Sequence, residues 1–290
     1  MEKPIKQELV GLALCPACAE PLGQPQADSW KCPHCGYIVP FYQGIPLFTP
    51  PPGELVPFEK RERGPQLGST WRQANWKFLQ DQAASIPAGG IVLDVGAGRG
   101  DFASLFADCA YLALDVYPYP EVDLVCDFTK VAPFRSGSFA RILLMNVLEH
   151  VFDGAGLLAA LSRLLEPGGE LLVAVPFLLK VHQAPVDYAR YTHFALRRLG
   201  EGAGLETDLL EGFYDPAALV GEGTRNIRHT VMQRLPRSKR VLTRLALDAI
   251  DGLNSAVLGM VGAGFTSPPE AEASPAPLGY HIIFRKPGSA

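Results

Sequence analysis

The chain has 290 residues, 48% of them hydrophobic and 19% charged, with a net charge of −4. That length suits one full domain plus a small one, and that composition buries a core, which excludes a disordered chain. The mild acidity excludes a whole-protein basic field of the kind that draws nucleic acid, and no apolar run reaches the 18 residues of a membrane helix.

The first element is marked by cysteines. The start, MEKPIKQELVGLALCPAC, carries a short apolar run, but cysteines follow at once, which makes a poor signal peptide. A cytosolic setting is expected, where thiols stay reduced. Cys15-Pro-Ala-Cys18 is followed after 13 residues by Cys32-Pro-His-Cys35. Two C-x₂-C knuckles present four thiolates in a tetrahedron, which suits a structural Zn²⁺ with no open position for water. Two disulfides or unused thiols are the competing reading, which the reduced setting and the doubled C-x₂-C disfavour. Gly36 supplies the tight turn after the second knuckle, and His34 could stand in for a cysteine. Cys109 and Cys126 stand alone and read as small buried apolar residues. With its tail YIVPFYQGIPLFTP, the segment resembles zinc ribbons fused to, or partnered with, methyltransferases. The ribbon is assigned to 1–49.

Residues 50–68, rich in proline, glycine and charge, read as a linker. The remainder, 69–290, reads as one domain. A helix over 69–85 opens it, with Ser69 or Thr70 as cap. Strands are expected at Ile91–Val95, Tyr111–Asp115, Val122–Cys126, Arg141–Met145 and Glu170–Val175. Helices are expected at Asp101–Asp108, Gly154–Leu165 and Phe194–Ala203. Such alternation predicts an α/β doubly wound, mostly parallel sheet covered on both faces, with ligands beyond the carboxyl ends of the strands. A helical insertion at about 217–262, a linker and a last strand, Leu278–Phe284, complete the chain.

The segment IVLDVGAGRGDF carries the chemistry. A strand delivers Asp94, and Gly96, Gly98 and Gly100 bend the chain so that backbone can approach a ligand. The third glycine comes one residue too early for the dinucleotide fingerprint G-x-G-x-x-G, and no G-K-[ST] follows for a phosphate loop. Asp115 ends the next strand, 21 residues after Asp94, the distance at which an acid accepts from ribose hydroxyls. Asp127 ends the third strand, where a carboxylate can accept from an adenine amino group, and Phe128 beside it can stack on the ring.

These motifs resemble the class I S-adenosylmethionine-dependent methyltransferases, in the type 11 subgroup, over about residues 75–215. Five match in order: DVGAGRG, ALDVY, CDF, RILLMNVLEHV and LLEPGGELLVAVPF. The resemblance implies S-adenosylmethionine as cofactor. It implies Asp94, Gly96, Ala97 and Gly98 near the cofactor's amino-acid moiety, with Asp94 supporting the ammonium. It further implies Asp115 and Val116 at the ribose, Asp127 and Phe128 near adenine, and Met145, Asn146 and Val147 lining the pocket. Glu149 and His150 are expected to cap the next helix or fix a loop.

Methyl transfer from a sulfonium chiefly requires positioning of the acceptor, with a general base for some hydroxyls. The loop HQAPVDYARYTH after the fifth core strand gathers His182, Asp187 and His193 as candidates for that role. Its pattern resembles type 11 enzymes of sugar and cell-surface glycan pathways. Asp187 with Arg190 could equally brace the loop, and Thr192 could cap the helix that follows. Between Arg225 and Arg244 lie seven basic residues and no acidic one, interleaved with apolar residues. A solvated helix face is one reading; an amphipathic helix at a membrane surface or anionic lipid is the other. The expectation is therefore an O-methyltransferase of a small molecule, glycan or lipid-linked sugar. An rRNA or tRNA methyltransferase is the alternative, disfavoured because residues 10–49 hold Lys31 as their one cation. A non-catalytic cofactor-binding scaffold is the third reading.

Overall fold

The computed structural model describes residues 3–53, 55, 70–87, 89–213, 223–224, 227–228, 230–261 and 277–288. Most of the linker assigned to 50–68, parts of the 217–262 insertion, Arg225 and most of the stretch before the last strand lie outside the described residues.

The N-terminal part holds helix α1 (Gln7–Leu12) and a small antiparallel sheet of β1 (Ser29–Lys31), β2 (Ile38–Tyr42) and β3 (Ile45–Pro46). The larger part begins with α2 (Thr70–Ala83). It continues through β4 (Ile91–Val95), a 3₁₀ turn (Ala103–Phe106), β5 (Ala110–Asp115), β6 (Leu124–Val125) and β7 (Phe139–Met145). A second 3₁₀ turn (Leu148–His150), α3 (Gly154–Leu164), β8 (Leu165–Pro176), α4 (His193–Gly202), β9 (Glu206–Phe213), α5 (Arg237–Val261) and β10 (Gly279–Arg285) follow. The seven-stranded sheet runs β6-β5-β4-β7-β8-β10-β9. The first five strands are parallel, and β10 runs antiparallel to both of its neighbours. The doubly wound, mostly parallel sheet expected from the sequence is what the chain forms. The order reverses between β4 and β7, so the crevice at their carboxyl ends is the switch point where such sheets take ligands.

Alternation along each strand builds two apolar layers. Leu93, Val95, Leu112, Leu114, Ile142, Leu144, Val173 and Phe284 face one way, onto Leu157, Leu158, Leu161 and Leu164 of α3. Val92, Leu143, Met145, Leu172 and Ala174 face the other way, onto Phe78 and Leu79 of α2 and Phe106. The first layer continues into the N-terminal part through Leu9, Trp30, Val39 and Phe48. That part also covers the β6 edge. Leu47 bridges Val125 in parallel, the Phe48 N–H donates to the Val125 carbonyl at 2.9 Å, and the Lys3 and Lys6 ammoniums meet the buried Asp123 carboxylate at 3.0 and 2.8 Å. An edge strand of two residues is thus shielded from strange pairing.

Three differences from the sequence reading stand out, beyond end shifts of one or two residues such as β6, expected at Val122–Cys126 and formed over Leu124–Val125. The helix expected at Asp101–Asp108 is a 3₁₀ turn of four residues, closed by i→i+3 bonds such as Leu105 N–H to the Phe102 carbonyl, because β5 already starts at Ala110. Strand β8 starts at Leu165, through the Pro167-Gly168-Gly169 turn, since Gly168 and Gly169 exchange backbone bonds with Lys286 beyond β10. Strand β9 escaped the sequence reading altogether.

Candidate active site

The chain leaves β4 into the bend at Gly96, where φ is +76° and an added Cβ would lie 2.3 Å from Cγ2 of Val147. The N–H groups of Gly96 and Ala97 both donate to the Leu114 carbonyl, at 2.8 and 2.9 Å. Gly98, at φ +53°, donates its N–H to Asp115 Oδ2 at 2.9 Å, and an added Cβ there would meet open space. The bend is therefore pinned to the end of β5 from below and open above. Asp115 also accepts from the Tyr117 N–H at 3.0 Å, so each carboxylate oxygen holds one backbone bond and retains a lone pair. Burial pushes its carboxyl above the ordinary range, opposed by the N–H groups of Tyr117 and Gly98. Val116, next to it, is exposed.

Asp94 is buried on the α2 side and takes a hydrogen bond from the Tyr111 hydroxyl. Burial pushes its carboxyl up to about 7, against that hydroxyl and with the charges of Asp115 and Asp101 adding. At the end of β7, Met145 is buried and Asn146 adopts φ +58°, which asparagine tolerates better than most residues. The Asn146 side-chain oxygen accepts from Asn75 Nδ2 at 2.7 Å, and Asn75 Oδ1 lies 2.8 Å from Nε2 of His281, which is stacked between Trp71 and Phe78. This link from α2 was not singled out from the sequence. Its signal was there: Asn75 is a polar residue on the helical face of Trp71, Phe78 and Leu79.

Asp127 and Phe128 sit differently. The Asp127 carboxylate is engaged by the Thr129 N–H and hydroxyl and by Lys130 Nζ at 3.0 Å. Burial disfavours its charge, but these partners outweigh it and hold the carboxyl below the usual range. The Phe128 ring is buried in the core, 6.2 Å from the ring of Phe134.

On the acceptor side, Asp187 is bound bidentately by Arg190 at 2.6 and 2.9 Å, and Oδ2 also accepts from the His182 N–H at 2.7 Å. The guanidinium holds this carboxyl far below the ordinary range, so Asp187 braces the loop and keeps the His182 ring, whose Nδ1 lies 3.2 Å from Oδ2. His193 starts α4, capped by Thr192, and contacts Phe194 and Tyr280. These are not the partners of His182, so the structure does not join the two histidines through shared contacts. Asp153, and not Glu149 or His150, caps α3, through its Oδ1 and the Gly156 N–H. Glu149 and His150 instead fix the loop: the Glu149 carbonyl accepts from Tyr188 and Ala189, and His150 Nδ1 lies 2.6 Å from the Val186 carbonyl. The Glu149 side chain is fully buried, and burial pushes its carboxyl up to about 7.

Away from this crevice, four thiols converge. Cys15 and Cys35 sulfurs lie 3.6 Å apart, Cys18 and Cys32 sulfurs 3.7 Å apart, and all four are within 4.8 Å of one another. Four thiolates about 2.3 Å from one ion in a tetrahedron stand ~3.8 Å apart, so this donor set fits Zn²⁺.

A family model described as a methyltransferase domain matches residues 68–209. The ubiquinone biosynthesis O-methyltransferase of Thiobacillus denitrificans is 33% identical over 168 residues, 46% of this chain and 72% of the relative. The chain belongs to the S-adenosylmethionine-dependent methyltransferases. A tRNA (carboxymethyluridine(34)-5-O)-methyltransferase of Xenopus tropicalis is 33% identical over 119 residues, 37% of this chain, and the methyltransferase described here spans 19% of that relative's length. Among solved structures, a SAM-dependent methyltransferase from Archaeoglobus fulgidus aligns with a TM-score of 0.47 and 14% identity, covering 74% of this chain and 94% of that one.

The residues present fit the cofactor of this methyltransferase: a bend with open space over Gly98, and Asp115 with lone pairs to spare beside it. The cofactor brings a methyl group already activated on sulfur, so the protein's share is to hold it and to position the acceptor.

Asp94 makes the pH dependence of cofactor binding testable. A carboxyl with its midpoint raised to about 7 is neutral below that pH, and only the ionised form attracts an ammonium. Affinity for S-adenosylmethionine should therefore climb between pH 5 and 7, by at most about tenfold per unit, and level off above. Asp94→Asn should flatten that profile in isothermal calorimetry; an unchanged slope removes Asp94 from the ammonium.

Proposed function

We propose that this methyltransferase transfers methyl to an oxygen of a small molecule or glycan acceptor held under the loop 177–192. The observation that carries this reading is the position of that loop. It leaves the carboxyl end of β8, is clamped by Arg190 and Asp187, and carries His182 beside that clamp. Support comes from the Thiobacillus and Xenopus relatives, whose names both specify transfer to oxygen. The Xenopus relative also favours a second reading, an RNA acceptor. A screen with tritiated S-adenosylmethionine against lipid, glycan and RNA fractions separates them. Label is expected in the glycan or small-molecule fraction, in a base-stable ether or base-labile ester; label confined to RNA overturns the first reading.

The cofactor is held, in this proposal, by Asp94, Gly96, Ala97, Gly98, Asp115, Val116, Met145, Asn146 and Val147, with Asp127 and Phe128 closing the adenine end by bracing the chain. Cys15, Cys18, Cys32 and Cys35 bind one structural Zn²⁺. Replacing Cys15 and Cys18 with serine should release one zinc per chain by elemental analysis; full retention refutes the site.

The basic stretch is proposed as a contact for anionic lipid. Helix α5 exposes Val241, Leu242, Leu245, Ile250, Leu253 and Val257, with Arg237, Lys239, Arg240 and Arg244 along its first half. Arg228 is engaged by Asp248 and Asp251 at 2.7 and 3.0 Å and belongs to the packing of this segment. No described helix is long and apolar enough to cross a membrane. Flotation with vesicles of phosphatidylglycerol should carry the protein upward at low salt and fail at 0.5 M salt, where charge attraction is screened to about 4–5 Å. Equal behaviour with neutral vesicles removes the electrostatic contact.

A further inference from the structure

The brace around the acceptor loop leaves one group without a job. The Glu149 side chain is 0% exposed, and neither carboxylate oxygen makes a well-formed hydrogen bond, although the Asn146 side chain and Glu149's own N–H lie close to it. A buried carboxylate with both oxygens unsatisfied is costly, and folds keep such a group where something else satisfies it. Its Oε1 faces Nε2 of His150 at 3.7 Å, and that nitrogen is also buried without a partner. The His182 ring stands edge-on to His150, with centroids 4.8 Å apart. One donor atom from each of Glu149, His150 and His182 lies within 4.8 Å of the other two.

The two imidazoles are oriented as ligating histidines are. Nδ1 of His150 lies 2.6 Å from the Val186 carbonyl, and Nδ1 of His182 lies 3.2 Å from Asp187 Oδ2, nearer than the 3.4 Å that separates it from Arg190 Nη2. A proton on each Nδ1 answers both acceptors and leaves each Nε2 with its lone pair. Arg190 neutralises Asp187, so the cluster carries the single negative charge of Glu149 toward its centre.

We propose that Glu149, His150 and His182 form a binding site for a divalent first-row transition-metal cation, separate from the four cysteines. Two imidazoles and one carboxylate are a donor set for Zn²⁺, Mn²⁺ or Fe²⁺, and three protein ligands leave positions open. Metal bonds of about 2.0–2.2 Å put two ligand atoms ~3–4.4 Å apart, so the observed spacing closes with small side-chain rotations. The cluster begins three residues after Asn146 and is tied to the acceptor loop, through the Glu149 carbonyl to the N–H groups of Tyr188 and Ala189 and through His150 Nδ1 to the Val186 carbonyl. Resting on the oxygen-acceptor reading above, the cation holds the acceptor hydroxyl: its O–H bond breaks, the proton passes to water and the electron pair stays on the oxygen beside the metal.

The test titrates the full-length, ribbon-loaded protein with Co²⁺ and follows the visible spectrum. One further equivalent should bind with weak ligand-field bands and no thiolate charge-transfer band. Glu149→Gln and His182→Ala should each weaken it at least tenfold while retaining cofactor binding by calorimetry. Should Glu149→Gln fail to fold, His182→Ala, at a residue a quarter exposed, decides alone. The Cys15→Ser/Cys18→Ser variant should keep this equivalent. Absence of the second equivalent, or equal affinity in His182→Ala, overturns the site and leaves the cluster as a brace only. A second equivalent in a protein that methylates no oxygen acceptor would uphold the site and sink the oxygen reading.

Discussion

The structure turns on how one carbonyl and one carboxylate at the end of β5 hold the bend that follows β4. The Leu114 carbonyl takes two consecutive N–H groups, and Asp115 takes a third from Gly98. Those three bonds satisfy backbone donors that a sharp bend would otherwise strand. They also pin the bend after β4 to the end of β5, beside the β4–β7 gap where the strand order reverses. Val147 fills the other side of Gly96 so closely that no side chain fits. A ligand crevice is thereby built from backbone, and its shape does not depend on flexible side chains.

The same economy governs the far wall. Asn146 is held at positive φ by the Ala174 carbonyl on its N–H and by Asn75 on its side chain. Asn75 in turn meets His281 of β10, so α2, β7 and β10 meet in one buried polar line. Such lines cost free energy when half made and rigidify when complete. Glu149, three residues on, is the exception, with its carbonyl tied to the acceptor loop and its buried carboxylate without a well-formed hydrogen bond, 3.7 Å from His150 Nε2.

Much of this was legible in the sequence, and the reasons are local. The glycine bend and Asp115 announce themselves because spacing along two strands fixes them with no help from the rest of the chain. The cysteine knuckles do likewise. Strand β9 was not legible: in ETDLLEGF only Leu210 and Gly212 are buried, so the alternation is faint and the strand exists because β10 pairs with it. The buried Arg141–Glu170 pair was also hidden, since it joins two strands 29 residues apart inside runs that read as purely apolar. Phe128 shows what position alone leaves open. A motif resemblance puts it at the adenine end by position, and packing adds that its ring is buried against Phe134.

Packing also ties the N-terminal part to the crevice more closely than its own sheet suggests. Thr49 accepts the Asp127 N–H at 2.9 Å, directly after Phe48 has donated to the Val125 carbonyl. The end of β6 is therefore set by bonds from a segment that starts at the cysteine knuckles. Trp30 and Phe48 pack edge to face at 6.2 Å beneath that segment, in the same apolar layer as β4 and β5. Four thiolates drawn together by one ion would fix Cys32 and, through β1 and β2, the Trp30 on which Phe48 rests. The fold of the N-terminal segment and the position of the third strand's end are thus one mechanical problem.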